Sequence, residues 1–175
     1  MDAATMGVLA TLALFIFPFG MAVAAAYDLL TMTIPNRLVL GLVLGFFVIA
    51  LPLGIPLAEI GMSLLVALAV LVIGFIFFAR GWIGGGDAKL AAATVLWLGL
   101  TLTIPYLVYA AFGGGILTLA ILGLRQLPMM PIITRFAWLE RLHDRASGVP
   151  YGIALAAAGL MTYSSTTIFD RLTSL

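Results

Sequence analysis

Two aspartates carry the chemistry this sequence could do. Asp28 closes the first long uncharged run, in Ala26-Tyr27-Asp28-Leu29-Leu30. Asp87 opens a later one, in Gly84-Gly85-Gly86-Asp87-Ala88-Lys89. An ionisable side chain at the edge of an apolar segment is costly to bury and needs a reason. Two carboxylates held close together cannot both ionise easily, so one keeps a proton while the other stays charged. The charged one can take a proton from water while the other donates to a carbonyl oxygen. Together they hydrolyse a peptide bond without a metal or a covalent intermediate. Taken singly, each aspartate reads as a helix cap or a headgroup contact. The remaining carboxylates are placed differently: Asp2 and Asp170 are near the termini, Glu59 falls on the opposite side, and Glu140 and Asp144 sit in a polar loop.

The neighbours of Asp87 add to the case. Gly84, Gly85 and Gly86 remove every side chain just before it, so another backbone, such as an extended substrate, could lie alongside. A flexible turn is the plain alternative. A phosphate-binding loop fits poorly, because no strand precedes the glycines and no Gly-Lys-Ser/Thr follows. Gly113-Gly114-Gly115 falls inside an apolar run, where small residues let helices pack closely. Ile34-Pro35-Asn36-Arg37 and Pro150-Tyr151-Gly152 each stand at the start of an apolar run, where proline in the first helical turn is ordinary.

The elements that must position these residues follow from composition. The chain has 175 residues, 64% hydrophobic and 9% charged, against roughly a quarter charged in a soluble domain. A chain this short could not hide so much apolar surface from water, so it reads as an all-α, polytopic membrane protein. A net charge of +1 gives no basic patch for nucleic acid. Cysteine is absent and His143 is the only histidine, so disulfides, a thiol nucleophile and a zinc site are not expected, nor is any cofactor.

Charged residues cut the chain into uncharged runs at 3–27, 38–58, 60–79, 90–124 and 146–169. As one helix, 90–124 would be about 52 Å long, too long for one crossing. Thr101-Leu102-Thr103-Ile104-Pro105 is the expected break, because proline lacks the backbone donor that lipid demands. Six transmembrane helices result, at about 4–27, 38–55, 60–79, 88–104, 106–124 and 149–169, in one membrane-embedded domain over 1–175. This count places Arg37, Arg80, Lys89, Arg125, Arg135, Arg141 and Arg145 on one face and leaves Arg171 on the other. Loops rich in Lys and Arg stay cytoplasmic, so both termini are expected outside and both aspartates near the cytoplasmic face. Ala24-Ala25-Ala26 resembles a signal-peptide cleavage site. The N-terminus has no Lys or Arg before it and the apolar stretch is long, so cleavage is not expected. In the cytoplasmic loop 125–148, Pro131 is expected to open a short surface helix with Ile132, Phe136 and Leu139 on one face, with an irregular solvated loop as the alternative.

Together these residues resemble a known family. Gly84-x-Gly86-Asp87 matches the GxGD signature of intramembrane-type aspartyl proteases. Lys89, Asp28 before Ile34-Pro35-Asn36, and Pro150-Tyr151-Gly152 look like the type IV prepilin peptidase branch. The resemblance implies that Asp28 and Asp87 are the catalytic pair. It also implies that Gly84, Gly85, Gly86, Lys89, Pro150, Tyr151 and Gly152 meet the substrate. That substrate would be the leader of a prepilin or pre-pseudopilin, cut after a glycine at the cytoplasmic face of a bacterial inner membrane. Larger members resemble this chain but add a cytoplasmic domain with paired cysteines and methylate the new N-terminus. Here the first cytoplasmic loop is short and cysteine is absent, as in the short form serving Tad/Flp-type pili, so methyl transfer is not expected. The archaeal preflagellin peptidases are similar. A non-enzymatic membrane component using Asp28 and Asp87 to relay protons or cations is the alternative from another class.

Overall fold

The computed structural model describes residues 3–128 and 135–174. All regular structure among them is helical: α1 (Ala3–Thr31), α2 (Asn36–Ala50), α3 (Leu57–Ala79), α4 (Gly85–Leu124), α5 (Ala137–His143), α6 (Gly152–Tyr163) and α7 (Thr167–Thr173). Three of them, Ala10–Thr31 within α1, α3 and α4, are long and apolar enough to cross a membrane. The pair α6 and α7, bent by 52°, makes a fourth if taken as one span. α2 is apolar but shorter.

α4 sits at the centre, with α3 and α6 packed along it and α1 packed on α6. It is not one rod. Gly99 has φ 71° and ψ −178°, a conformation open in practice to glycine alone. Asp87, Ala88 and Ala91 line the same cavity as Leu107, Ala110 and Ala111. In a straight helix, 87 and 111 would be about 36 Å apart. The chain therefore reverses at Gly99, and the arms 85–98 and 100–124 run side by side.

This corrects the expected break at 101–105. Pro105 lies inside the second arm, where its missing donor costs only the bond to the carbonyl four residues back, on the exposed Thr101. Other boundaries also differ. α2 stops at Ala50 rather than near 55, and the chain turns through Gly54, with φ 65°. The last expected span, 149–169, is two helices, with Thr166 capping the second through a 3.1 Å bond from Phe169 N–H. The surface helix covers only 137–143 and buries Leu142, while Phe136 is its exposed N-cap. Pro131 and Ile132 lie outside the described residues.

The core is an aromatic cluster joining four elements. Phe17 of α1 stacks on Tyr163 of α6 at 4.8 Å and meets Trp97 of α4 at 5.2 Å, and Phe46 of α2 meets Trp97 edge-on at 5.9 Å. Their polar atoms are also placed. Trp97 Nε1 donates to Leu42 O at 2.9 Å and Tyr163 Oη to Leu14 O at 3.3 Å, as an apolar surrounding requires of buried donors. The buried stripe of α1 runs Phe17, Met21, Ala24, Asp28. At helical spacing its next inward position is a carboxylate instead of an apolar side chain.

Candidate active site

Asp28 stands in the last turns of α1 and is only 5% exposed. Its Oδ2 accepts the Gly152 N–H at 2.6 Å. That donor is available because Gly152 opens α6, and the first N–H groups of a helix have no partner within it. Asp87 is in the first turn of α4 and half-buried. Its Oδ2 accepts the Gly84 N–H at 3.3 Å, bonding the backbone of the N-cap residue. Asp28 beside Gly152 and the glycine segment before Asp87 flank the same side chain, Ile34. Three helix ends thus bring together residues far apart in the chain.

Ile34 joins them. It is buried, in the extended segment between α1 and α2. A Cβ built on Gly86 would fall 3.2 Å from Ile34 Cβ, and one on Gly152 would fall 2.9 Å from Ile34 Cδ1 and 2.8 Å from Asp28 Oδ2. The glycines before Asp87 therefore have neighbours within the chain itself. Gly86 is covered by Ile34, Gly85 by the Phe78 ring, and the space beside Gly84 by the Asp87 carboxylate. Lys89 Nζ donates to Asn36 Oδ1 at 3.0 Å, tying the start of α2 to the start of α4.

Pro150 is fully buried and Tyr151 half-buried. Tyr151 Oη donates to Ala110 O at 3.1 Å, and its ring fills the space over Gly114, where any Cβ would overlap it. This gives one of the three glycines of 113–115 a specific partner. Beside Asp87 and Tyr151 a cavity of about 220 Å³ opens between α3, the two arms of α4 and α6. Asp87 and Tyr151 bring the only polar side chains to a lining otherwise made of Ile73, Phe77, Leu107, Leu155 and similar residues.

A family model described as the type IV leader peptidase family matches residues 15–119. The chain belongs to the type IV leader peptidase family. The matched region holds Asp28, Ile34-Pro35-Asn36, Gly84–Gly86, Asp87 and Lys89, while Pro150-Tyr151-Gly152 of this leader peptidase family member lies beyond it. Neither a search of curated proteins nor one of solved structures returns a match.

Two arginines that the sequence presents only as topological charges also brace the candidate site. Arg125 donates to three carbonyls, Leu142 O at 2.8 Å, Ser147 O at 2.9 Å and Gly148 O at 2.8 Å, and so fixes the chain entering Pro150. Arg141 Nη1 donates to Leu30 O at 2.9 Å and seats α5 against the end of α1. Among the described residues no cluster of three or more His, Cys, Asp or Glu could hold a metal.

Proposed function

We propose that this leader peptidase family member is an aspartyl endopeptidase that cuts the leader from type IV or Flp pilin precursors, with Asp28 and Asp87 as its catalytic pair. The observation that carries the reading is that the Asp28 carboxylate, held by Gly152, and the segment bearing Asp87 pack against one side chain, Ile34, with an apolar cavity beside Asp87. The Gly152 N–H fixes one oxygen of Asp28 in place. A water between the two carboxylates loses a proton to the ionised one as its oxygen attacks the scissile carbonyl carbon. The protonated carboxyl donates to the carbonyl oxygen. Collapse of the tetrahedral intermediate then breaks the C–N bond: the leaving amine takes up the proton drawn from water, and a hydroxyl of the intermediate returns its proton to the second carboxylate. Water is the only co-reactant. Purified protein should release the leader from a synthetic precursor peptide in detergent, with the new N-terminus read by mass spectrometry. Strong chelators should leave the rate unchanged. Loss on chelation, restored by one metal, would refute the mechanism.

The reading extends to six membrane crossings, with the site at the cytoplasmic face of the inner membrane and both termini outside. Its support is geometric as well as electrostatic. Asp28, Asp87 and Gly152 share one end of the bundle, while Ile55, Glu59, Gly99 and Thr167 surround a pocket remote from them in the fold. The reversal at Gly99 then makes α4 two crossings. The chain has no cysteine, so introduced ones report alone. Single cysteines near Asn36 and Ser147 should label only from the cytoplasmic side, and one near Leu57 only from outside. Labelling of the first two from outside would overturn this topology.

A further inference from the structure

We propose that Ile34 is a positioning residue, a strut that sets the separation of the Asp28 and Asp87 carboxylates; this rests on the reading of those two aspartates as a catalytic pair. Its own placement is well determined. Met32, at φ 54°, turns the chain out of α1, with its N–H bonded to Asp28 O at 2.8 Å. Pro35 follows at φ −63° as the N-cap of α2. A residue before proline is confined to extended backbone, and a β-branched side chain has few χ1 choices. Ile34 is therefore a stiff side chain on a pinned backbone.

It reaches both halves of the site. Its Cβ lies against Gly86, the residue before Asp87. Its Cδ1 lies against Gly152, whose N–H holds Asp28 at 2.6 Å. One side chain thus spans from the segment that carries Asp87 to the donor that holds Asp28. On the outer side of the same segment, the bond from Lys89 to Asn36 closes the link. Glycine at 86 and 152 is what lets the isoleucine fit, since a methyl at either position would press on it. The other ionisable groups around the pair are Tyr106 and Tyr151, both within electrostatic reach of Asp87, and Lys89. Tyrosine ordinarily titrates near 10, far above a carboxylate, so both tyrosines form a constant background to a carboxylate titration.

The strut has a measurable signature. Two interacting carboxylates lose their protons in two macroscopic steps, and the gap between the steps grows as the groups approach. The test follows carboxylate titration by isotope-edited infrared spectroscopy in aspartate-labelled protein in detergent, with Asp28→Asn and Asp87→Asn as assignment controls. Cleavage of a precursor peptide is measured alongside. Ile34→Ala removes Cγ1, Cγ2 and Cδ1. It should change the gap between the two steps and the width of the pH–rate bell, and lower kcat by about 10- to 100-fold with KM little changed. Ile34→Val removes only the atom facing Gly152 and should move each quantity the same way by less. If Ile34→Ala does not fold, Ile34→Val decides alone. Folded variants with an unchanged gap and kcat within about twofold of the unmodified protein would overturn the proposal. So would an unmodified protein whose two carboxylates titrate independently. If the gap depends on Ile34 but the unmodified protein cleaves nothing, the strut stands and the protease reading fails.

Discussion

Asp28→Asn and Asp87→Asn should each lower cleavage by about a thousandfold or more, and the double variant should be hardly worse than either. A loss of that size is roughly 4 kcal/mol of transition-state stabilisation. Asparagine keeps the shape of aspartate and removes its titration, so the protein should still insert and fold. Groups that act as a unit are strongly non-additive, because losing one leaves the other nothing to work with. The unmodified enzyme should give a bell-shaped pH–rate curve whose two apparent pKa values belong to the pair. The alternatives predict other outcomes. A proton relay predicts no proteolysis in any version. A role for Asp87 only in bonding the Gly84 N–H predicts a less stable Asp87→Asn protein with normal specific activity. Substantial cleavage by well-folded Asp87→Asn protein would therefore remove the basis of the mechanism.

Gly152→Ala should cost about a hundredfold in cleavage while the protein stays folded. The new Cβ would fall 2.8 Å from Asp28 Oδ2, 2.9 Å from Ile34 Cδ1 and 3.1 Å from Asp28 Cβ. Something must move, and the Asp28 carboxylate is the group directly in the way. Its 2.6 Å bond to the Gly152 N–H would lengthen or swing off line. A displacement near 1 Å is enough for a loss of that order. Stability should change little, because alanine is the better helix former at the start of α6, which offsets part of the crowding. Melting temperature and specific activity should thus separate. Cleavage near the unmodified rate would mean that the bond to Gly152 does not matter to catalysis.

The sequence declared its class and its family early, for simple reasons. Nearly charge-free runs need lipid, and two carboxylates at the edges of such runs attract notice. Where contacts between distant residues decide the structure, it was less legible. The break in α4 was expected at Pro105, the obvious breaker, yet it falls at Gly99, one small residue among many. Nothing local marks Gly99 apart from other glycines, since only packing of the two arms fixes its dihedrals. Ile34 stood in a motif that reads equally well as a helix start. Its role depends on Gly86 and Gly152, which are remote in sequence. Arg125 and Arg141 counted only as positive charges, although each spends its donors on backbone carbonyls.

The lengths of the helices have a consequence for the bilayer itself. α2 has 15 residues and α6 has 12, which reach about 22 Å and 18 Å, and the 85–98 arm of α4 reaches about 21 Å. A typical hydrocarbon layer is about 30 Å thick. α1 and α3, with 29 and 23 residues, can match that thickness. The short elements are the ones that follow Ile34, carry Asp87 in their first turn or begin at Gly152. If these elements cross the bilayer as proposed, their shortness leaves a hydrophobic mismatch, and lipid around them must thin or the helices must sink. The local dip would bring headgroups and water down to the carboxylates, so the reaction would need no deep aqueous channel. Reconstituted into bilayers of graded acyl length, the enzyme should work best in the thinner ones and slow as the chains lengthen. A rate indifferent to thickness would mean that the bundle does not deform the membrane around its site.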